Sequence, residues 1–383
     1  MFLSGEKRKR ERIIALDLLR GTFLLVIFVN HIAWSPSLFD FITGQSHLFA
    51  SAAEGFFAIS GILLGYIYGP RILVKTKDTF LRLFKRAGWL YLLSIGFTTL
   101  YTFITLFLPP GTVRNQYLSP SLFDFIFSTL TLQLNYGWAD FLSRYAILML
   151  FAPFALWLIA KGKVWIVFFL SFAIWFLLGN SALANYTAWQ IIFIGGIIIG
   201  CYLPRIETSI MSLSHRVRKY SLAAITSISV VTFVISIILT VLLPIIAGDY
   251  RYLVSSSLHQ SILDVIDFRT GLDYSIFDRD SMALGRLIIG TVWFSTLYIW
   301  YRRYEKAIDR TSKGSLLLLG QNSLYVYGLQ SFILFMMDIF LKPPEGASVI
   351  LKTLVIANAV YFVYLLTKHR TNIRGLRKRL LRL

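Results

Sequence analysis

In a chain of 383 residues, 56% are hydrophobic, 16% aromatic and only 15% charged, and the mean hydropathy is +0.67. A soluble fold this apolar could not keep its surface wetted, so the composition excludes a soluble globular domain and points to a polytopic membrane protein. The formal charge of +19 does not imply nucleic acid, because Lys and Arg cluster in short segments flanking apolar runs, where the positive-inside bias puts them.

The chain opens on a basic arm over residues 1–12, and the first apolar span runs from Ile13 to Trp34. Asp17 and Arg20 interrupt that span and no small-residue cleavage site follows it, so it does not read as a cleavable leader. Asp17, Arg20 and His31 all cost free energy in hydrocarbon and are functional candidates on that ground. Arg20 and His31 are eleven residues apart, about three helical turns, and so share a face, with Asp17 within roughly 60° of both. Their axial separation of about 16 Å suits a long, thin ligand better than a small one.

The second span, Leu48 to Tyr68, carries Glu54 in its first turns and Gly61, Gly65 and Gly69 at intervals of four, a pattern that lets another backbone approach closely. Glu54 is expected at the depth of His31 on an oppositely running helix. A carboxylate there would fix the imidazole tautomer and complete a general-base pair. The third span, Ala87 to Leu108, is entered through Arg82, Lys85 and Arg86. Arg82 and Arg86 stand one turn apart, placed either to anchor the helix or to grip phosphates or a carboxylate.

Further spans are expected at Ala139–Ala160, Val164–Gly179, Ala188–Leu203, Ser221–Ile246, Met282–Tyr301, Ser315–Leu341 and Ala347–Leu366. The fold class is therefore all-α, with about ten transmembrane helices in one domain over 1–383. Basic segments alternate with uncharged or acidic ones down to the tail at 368–383, which places both termini in the cytoplasm and His31 near the outer surface. Between spans, Leu122 to Leu134 is too short to cross and reads as re-entrant or interfacial. The Ala247 to Ser281 segment, rich in Asp and aromatic residues, reads as a solvated loop or as a carbohydrate-facing surface. The lone Cys201 excludes a disulfide framework and a multi-cysteine metal site, and no metal is expected.

Arg20-x10-His31, Phe56-Phe57-x-x-Ser60-Gly61 and the Arg86-x4-Tyr91 neighbourhood resemble the signature of membrane acyltransferase family 3. More narrowly, Leu16-Asp17-x-Leu19-Arg20-Gly21, Asn30-His31, Ala53-Glu54-Gly55-Phe56 and Tyr68-Gly69 resemble its OpgC branch. Arg144-Tyr145 before Pro153, Trp189-Gln190 before Gly195-Gly196, and Leu319-Gly320-Gln321-Asn322-Ser323-Leu324-Tyr325 extend the likeness over most of the chain. Gln330 stands where related proteins often carry a second histidine.

The resemblance implies O-acyl transfer from cytoplasmic acyl-CoA, a co-substrate rather than a bound cofactor, to a hydroxyl of an extracytoplasmic glycan at a bacterial inner membrane. Succinyl is the favoured acyl group. His31 would be the general base, with Glu54, Asp17 and Arg20 around it. Arg82, Arg86, Tyr91 and Ser60 would serve the donor, and Trp189 and Gln190 the acceptor. An acyl-enzyme on Ser60 stays open; the same intramembrane charges would also suit a transporter, whereas a non-catalytic envelope subunit would leave Asp17, Arg20, His31 and Glu54 without a chemical role.

Overall fold

The computed structural model describes residues 11–114, 121–181 and 183–380; most of the basic arm expected over 1–12 lies outside them, as do the last three residues of the tail. The described residues are helical, without a strand. In chain order the principal helices are α1 (Ile14–Ile32), α2 (Ala52–Tyr68), α3 (Thr76–Thr105), α4 (Leu122–Leu130), α5 (Asp140–Ala160), α6 (Val164–Leu178) and α7 (Gln190–Ser212). They continue with α8 (His215–Ala247, including a π-helical turn at Ile238–Leu242), α9 (Ser256–Ser275), α10 (Leu284–Arg303), α11 (Ser315–Gln321), α12 (Ser323–Phe340) and α13 (Val349–Leu380).

Among the described residues, 7 helices are long and apolar enough to cross a membrane: α1, α3, α5, α7, α8, α12 and α13 up to Ile373. The protein is thus a membrane protein by its helices. α2 and α6 are apolar but shorter, at 17 and 15 residues. Each of the ten expected spans overlaps a helix, but α2, α6 and α10 are not among those seven, and one expected span has an internal break. Asn322 leaves helical geometry at φ −106°, ψ 25°, dividing the expected Ser315–Leu341 span into α11 and α12.

The chain forms two compact units, with boundaries inside α2, α7 and α12 and again just after α12, between Lys342 and Pro343. In the first, residues 57–208 and 331–342, the glycines of α2 meet α7. A Cβ on Gly61 would come 2.2 Å from the Phe193 carbonyl oxygen and one on Gly65 2.1 Å from that of Ile197. The four-residue glycine spacing is therefore a helix-packing ridge. α3 and α5 pack antiparallel, with the Phe154 ring 5.3 Å from Phe80 and Arg86 joined to Tyr145 higher on the pair.

After α4 the chain turns back beside the middle of α3: Tyr91 donates to the Leu130 carbonyl (2.8 Å), Ser94 to Asn135 Oδ1 (3.4 Å), and the Tyr136 amide to Thr98 (3.3 Å). Leu132 makes that turn with φ +59°, in the left-handed region.

In the second unit, residues 11–56, 209–330 and 343–383, α1 is the core element. Ala15, Leu16, Leu18, Leu19 and Leu24 are wholly buried. α11 lies directly on its first half: a Cβ on Gly320 would come 1.8 Å from the Asp17 carbonyl oxygen, and one on Gly21 2.1 Å from that of Leu316. Backbone against backbone leaves no room for a methyl group. Gly320→Ala should therefore cost roughly 1–3 kcal/mol through overpacking, seen as a lower Tm of the purified protein; an unchanged Tm would mean the contact relaxes freely.

The Ala247–Ser281 segment, expected as a solvated loop or a carbohydrate-facing surface, contains the 20-residue helix α9, capped by Ser255, whose hydroxyl accepts the Leu258 amide at 3.3 Å. Arg269 pairs with Asp273 one turn on and donates to the His47 carbonyl at 3.3 Å. Burial, reinforced by the Arg269 charge, lowers the His47 pKa.

Candidate active site

α1 stops at Ile32 because Ala33 takes a left-handed conformation, φ 56°, which leaves His31 in the last turn and only partly buried. Its Nδ1 lies 2.7 Å from the Ile27 carbonyl oxygen. A carbonyl can only accept, so Nδ1 carries a hydrogen toward it, and the contact fixes the orientation of the ring.

The chain beyond His31 is tied down. Asn30 donates to the Thr43 carbonyl at 3.3 Å. Asp40, 1% exposed, accepts from Ser35 Oγ (2.8 Å), the Ser37 amide (3.0 Å), Ser37 Oγ (2.6 Å) and Gln45 Nε2 (2.8 Å). Lys352 and Thr353 of α13 hold the same turn through the Ser35 carbonyl and the Leu38 amide.

The other charges of α1 have separate partners. Asp17 is buried and pairs with Arg12, five residues back. The Arg20 guanidinium carbon lies 5.7 Å from the centroid of the Phe56 ring, a cation–π contact. Gln330, in place of the second histidine, is 3% exposed and donates to the Leu24 carbonyl at 3.3 Å, against α1 itself.

Glu54 is 6% exposed, and its carboxylate binds Arg286 Nε at 2.5 Å and the Ser51 amide. Arg286 is 4% exposed; its Nη1 donates to the carbonyls of Leu48 (3.4 Å) and Phe277 (3.2 Å). Sequence reasoning missed this arginine. Its signal was an arginine within the apolar span Met282–Tyr301, as costly there as Arg20 is in α1.

In the first unit, Arg82 and Arg86 are exposed on α3, and Arg86 Nη2 donates to the Tyr145 hydroxyl at 3.1 Å with its guanidinium 5.7 Å from that ring. Tyr91 is the residue that fastens the turn after α4. Ser60 is 2% exposed, and its hydroxyl has no hydrogen-bond partner among the described residues. Gln190 spends its amide on Ser171, donating to the carbonyl and accepting from the hydroxyl, both at 2.7 Å. Trp189 is 1% exposed, with Arg144 5.2 Å from its ring. Among the described residues no three His, Cys, Asp or Glu side chains cluster as a metal site.

Comparison with curated proteins and with solved structures gives no match. A family model described as OpgC protein matches residues 12–374, nearly the whole chain and every site residue named above. On that match the chain belongs to the OpgC protein family.

Proposed function

We propose that this protein transfers an acyl group from acyl-CoA to a hydroxyl of an extracytoplasmic glucan, with His31 as general base. Family membership indicates a membrane acyltransferase-like role in glucan modification. The observation that carries the finer reading is the His31 ring, whose Nδ1–H is directed at the Ile27 carbonyl, so the base role falls to Nε2. In the reaction Nε2 takes the proton of the sugar hydroxyl as its oxygen attacks the thioester carbonyl carbon. The tetrahedral oxyanion then collapses with loss of the C–S bond, and the thiolate leaves with the proton from His31, giving ester and free thiol. Succinyl is the acyl group favoured by the resemblance.

Arg82 and Arg86 are assigned the phosphates of the donor, since exposed guanidinium groups one turn apart suit a polyanion. The double variant Arg82→Gln/Arg86→Gln should raise the donor KM and leave the acceptor KM unchanged in reconstituted transfer assays with each substrate titrated separately. An unchanged donor dependence would reduce these arginines to topology signals.

Arg20 is assigned an oxygen of the substrate. Asp17 has Arg12 as its ion-pair partner, so Arg20→Lys tests for a planar two-pronged contact that lysine cannot make. Transfer should fall with the fold intact, and wild-type transfer by that variant would leave Arg20 as a simple cation.

The reading also needs ten spans with both termini cytoplasmic. A cysteine placed between Asp264 and Asp280 should then react with an impermeant thiol reagent from outside, and one between Arg302 and Lys313 should not. The reverse pattern would exchange the donor and acceptor sides.

A further inference from the structure

An ion pair withdrawn from both water and lipid holds its place only when its hydrogen-bonding groups are used, and one group of the Glu54–Arg286 pair is not. Arg286 Nε and Nη1 are taken by Glu54 and by the Leu48 and Phe277 carbonyls, whereas Nη2, equally buried, has no acceptor among the described residues. Glu54 holds Nε and the two carbonyls hold Nη1. The result is an immobilised donor with hydrogens to give.

Its place in the second unit follows from contacts along α1. Near the C-terminal end of α10 the Tyr301 hydroxyl lies 2.8 Å from Thr22 Oγ1, and at its middle the Phe294 ring is 6.4 Å from that of Phe23. At the other end Arg286 reaches Leu48, whose side chain packs on Gly44, next to the Thr43 carbonyl that takes the Asn30 amide. α10 therefore runs antiparallel to α1. From the Phe23–Phe294 contact, Arg286 and His31 both lie toward the same end of the helix pair. Gly55 abuts the Phe23 ring, which sets Glu54 along that same stretch of α1.

We propose that Arg286 is a catalytic hydrogen-bond donor, its Nη2 binding the acyl carbonyl oxygen and stabilising the negative charge that oxygen acquires when the sugar oxygen attacks. This rests on the acyl-transfer reading above and adds the electrophilic partner that His31 lacks. The Glu54 charge balances the guanidinium before reaction, so the site need not bury a lone cation while it waits, and a donor already fixed needs no reorganisation as charge develops. Glu54 then acts as a positioning residue, through Arg286.

The test uses purified full-length protein reconstituted in liposomes, with succinyl-CoA as donor and a β-glucan oligosaccharide as acceptor. Arg286→Lys keeps the charge but gives up the planar guanidinium, Nη2 included. With folding checked by thermal unfolding of the same preparation, it should keep both KM values and the pH dependence of kcat/KM, while kcat falls by about 10²–10³-fold, as when a single oxyanion donor is lost. Should that variant misfold, Glu54→Gln/Arg286→Gln removes both charges together and leaves no unpaired ion behind, and the same loss of kcat is expected. Wild-type kcat in either variant overturns the assignment while leaving acyl transfer standing. A wild-type protein that transfers no succinyl group overturns both.

Discussion

Replacing His31 with Ala should abolish acyl transfer while the protein remains folded in the membrane. Loss of a general base costs typically 10²–10⁴-fold, and nothing else on α1 replaces it. The fold should survive because His31 is only partly buried at the end of the helix and its identified hydrogen bond is local, to the carbonyl of Ile27. The packing of α1 is carried by the wholly buried leucines farther back and by the close approach to α11. The readout is initial rate against thermal unfolding of the same preparation; near-normal transfer would remove His31 from the chemistry.

Glu54→Ala should do the opposite and destabilise the fold itself. It would leave the Arg286 guanidinium, 4% exposed, with its charge uncompensated and the Ser51 amide without its acceptor. Breaking a buried pair from one side costs about 3–5 kcal/mol, far more than removing both partners together. Thermal unfolding in detergent should therefore rank Glu54→Ala well below the Glu54→Gln/Arg286→Gln double variant. Equal midpoints for the two would mean that the pair is solvated after all.

These two residues also mark what the sequence made legible. Hydropathy and the alternation of basic segments are properties of contiguous residues, so the helical spans could be read directly, as could the glycine ridge of α2. Asp17, Arg20, His31 and Glu54 stood out because each is costly in an apolar run. Their partners did not stand out. Glu54 meets Arg286 from 232 positions away, while Asp17 is paired with Arg12. A single sequence shows that a charge needs compensation without showing which helix brings it. α9 escaped notice because its residues lack an apolar stripe, although a capping Ser255 and the Arg269/Asp273 spacing of four were there to be read. The break at Asn322 lies in the short polar run Gln321-Asn322-Ser323 between longer apolar stretches, and the contact of Gly320 with Asp17 supplies its reason: α11 must lie flush on α1 before α12 begins.

The claim that joins these observations is that the protein esterifies a glucan by way of His31. Mass spectrometry of envelope glucans from cells carrying the wild-type chain, the His31→Ala chain or no copy tests it most directly. An acyl-ester mass on the glucan in the first case alone is the expected result, with succinyl as the expected adduct. The same ester on glucans from cells that carry His31→Ala, or no copy at all, would contradict it.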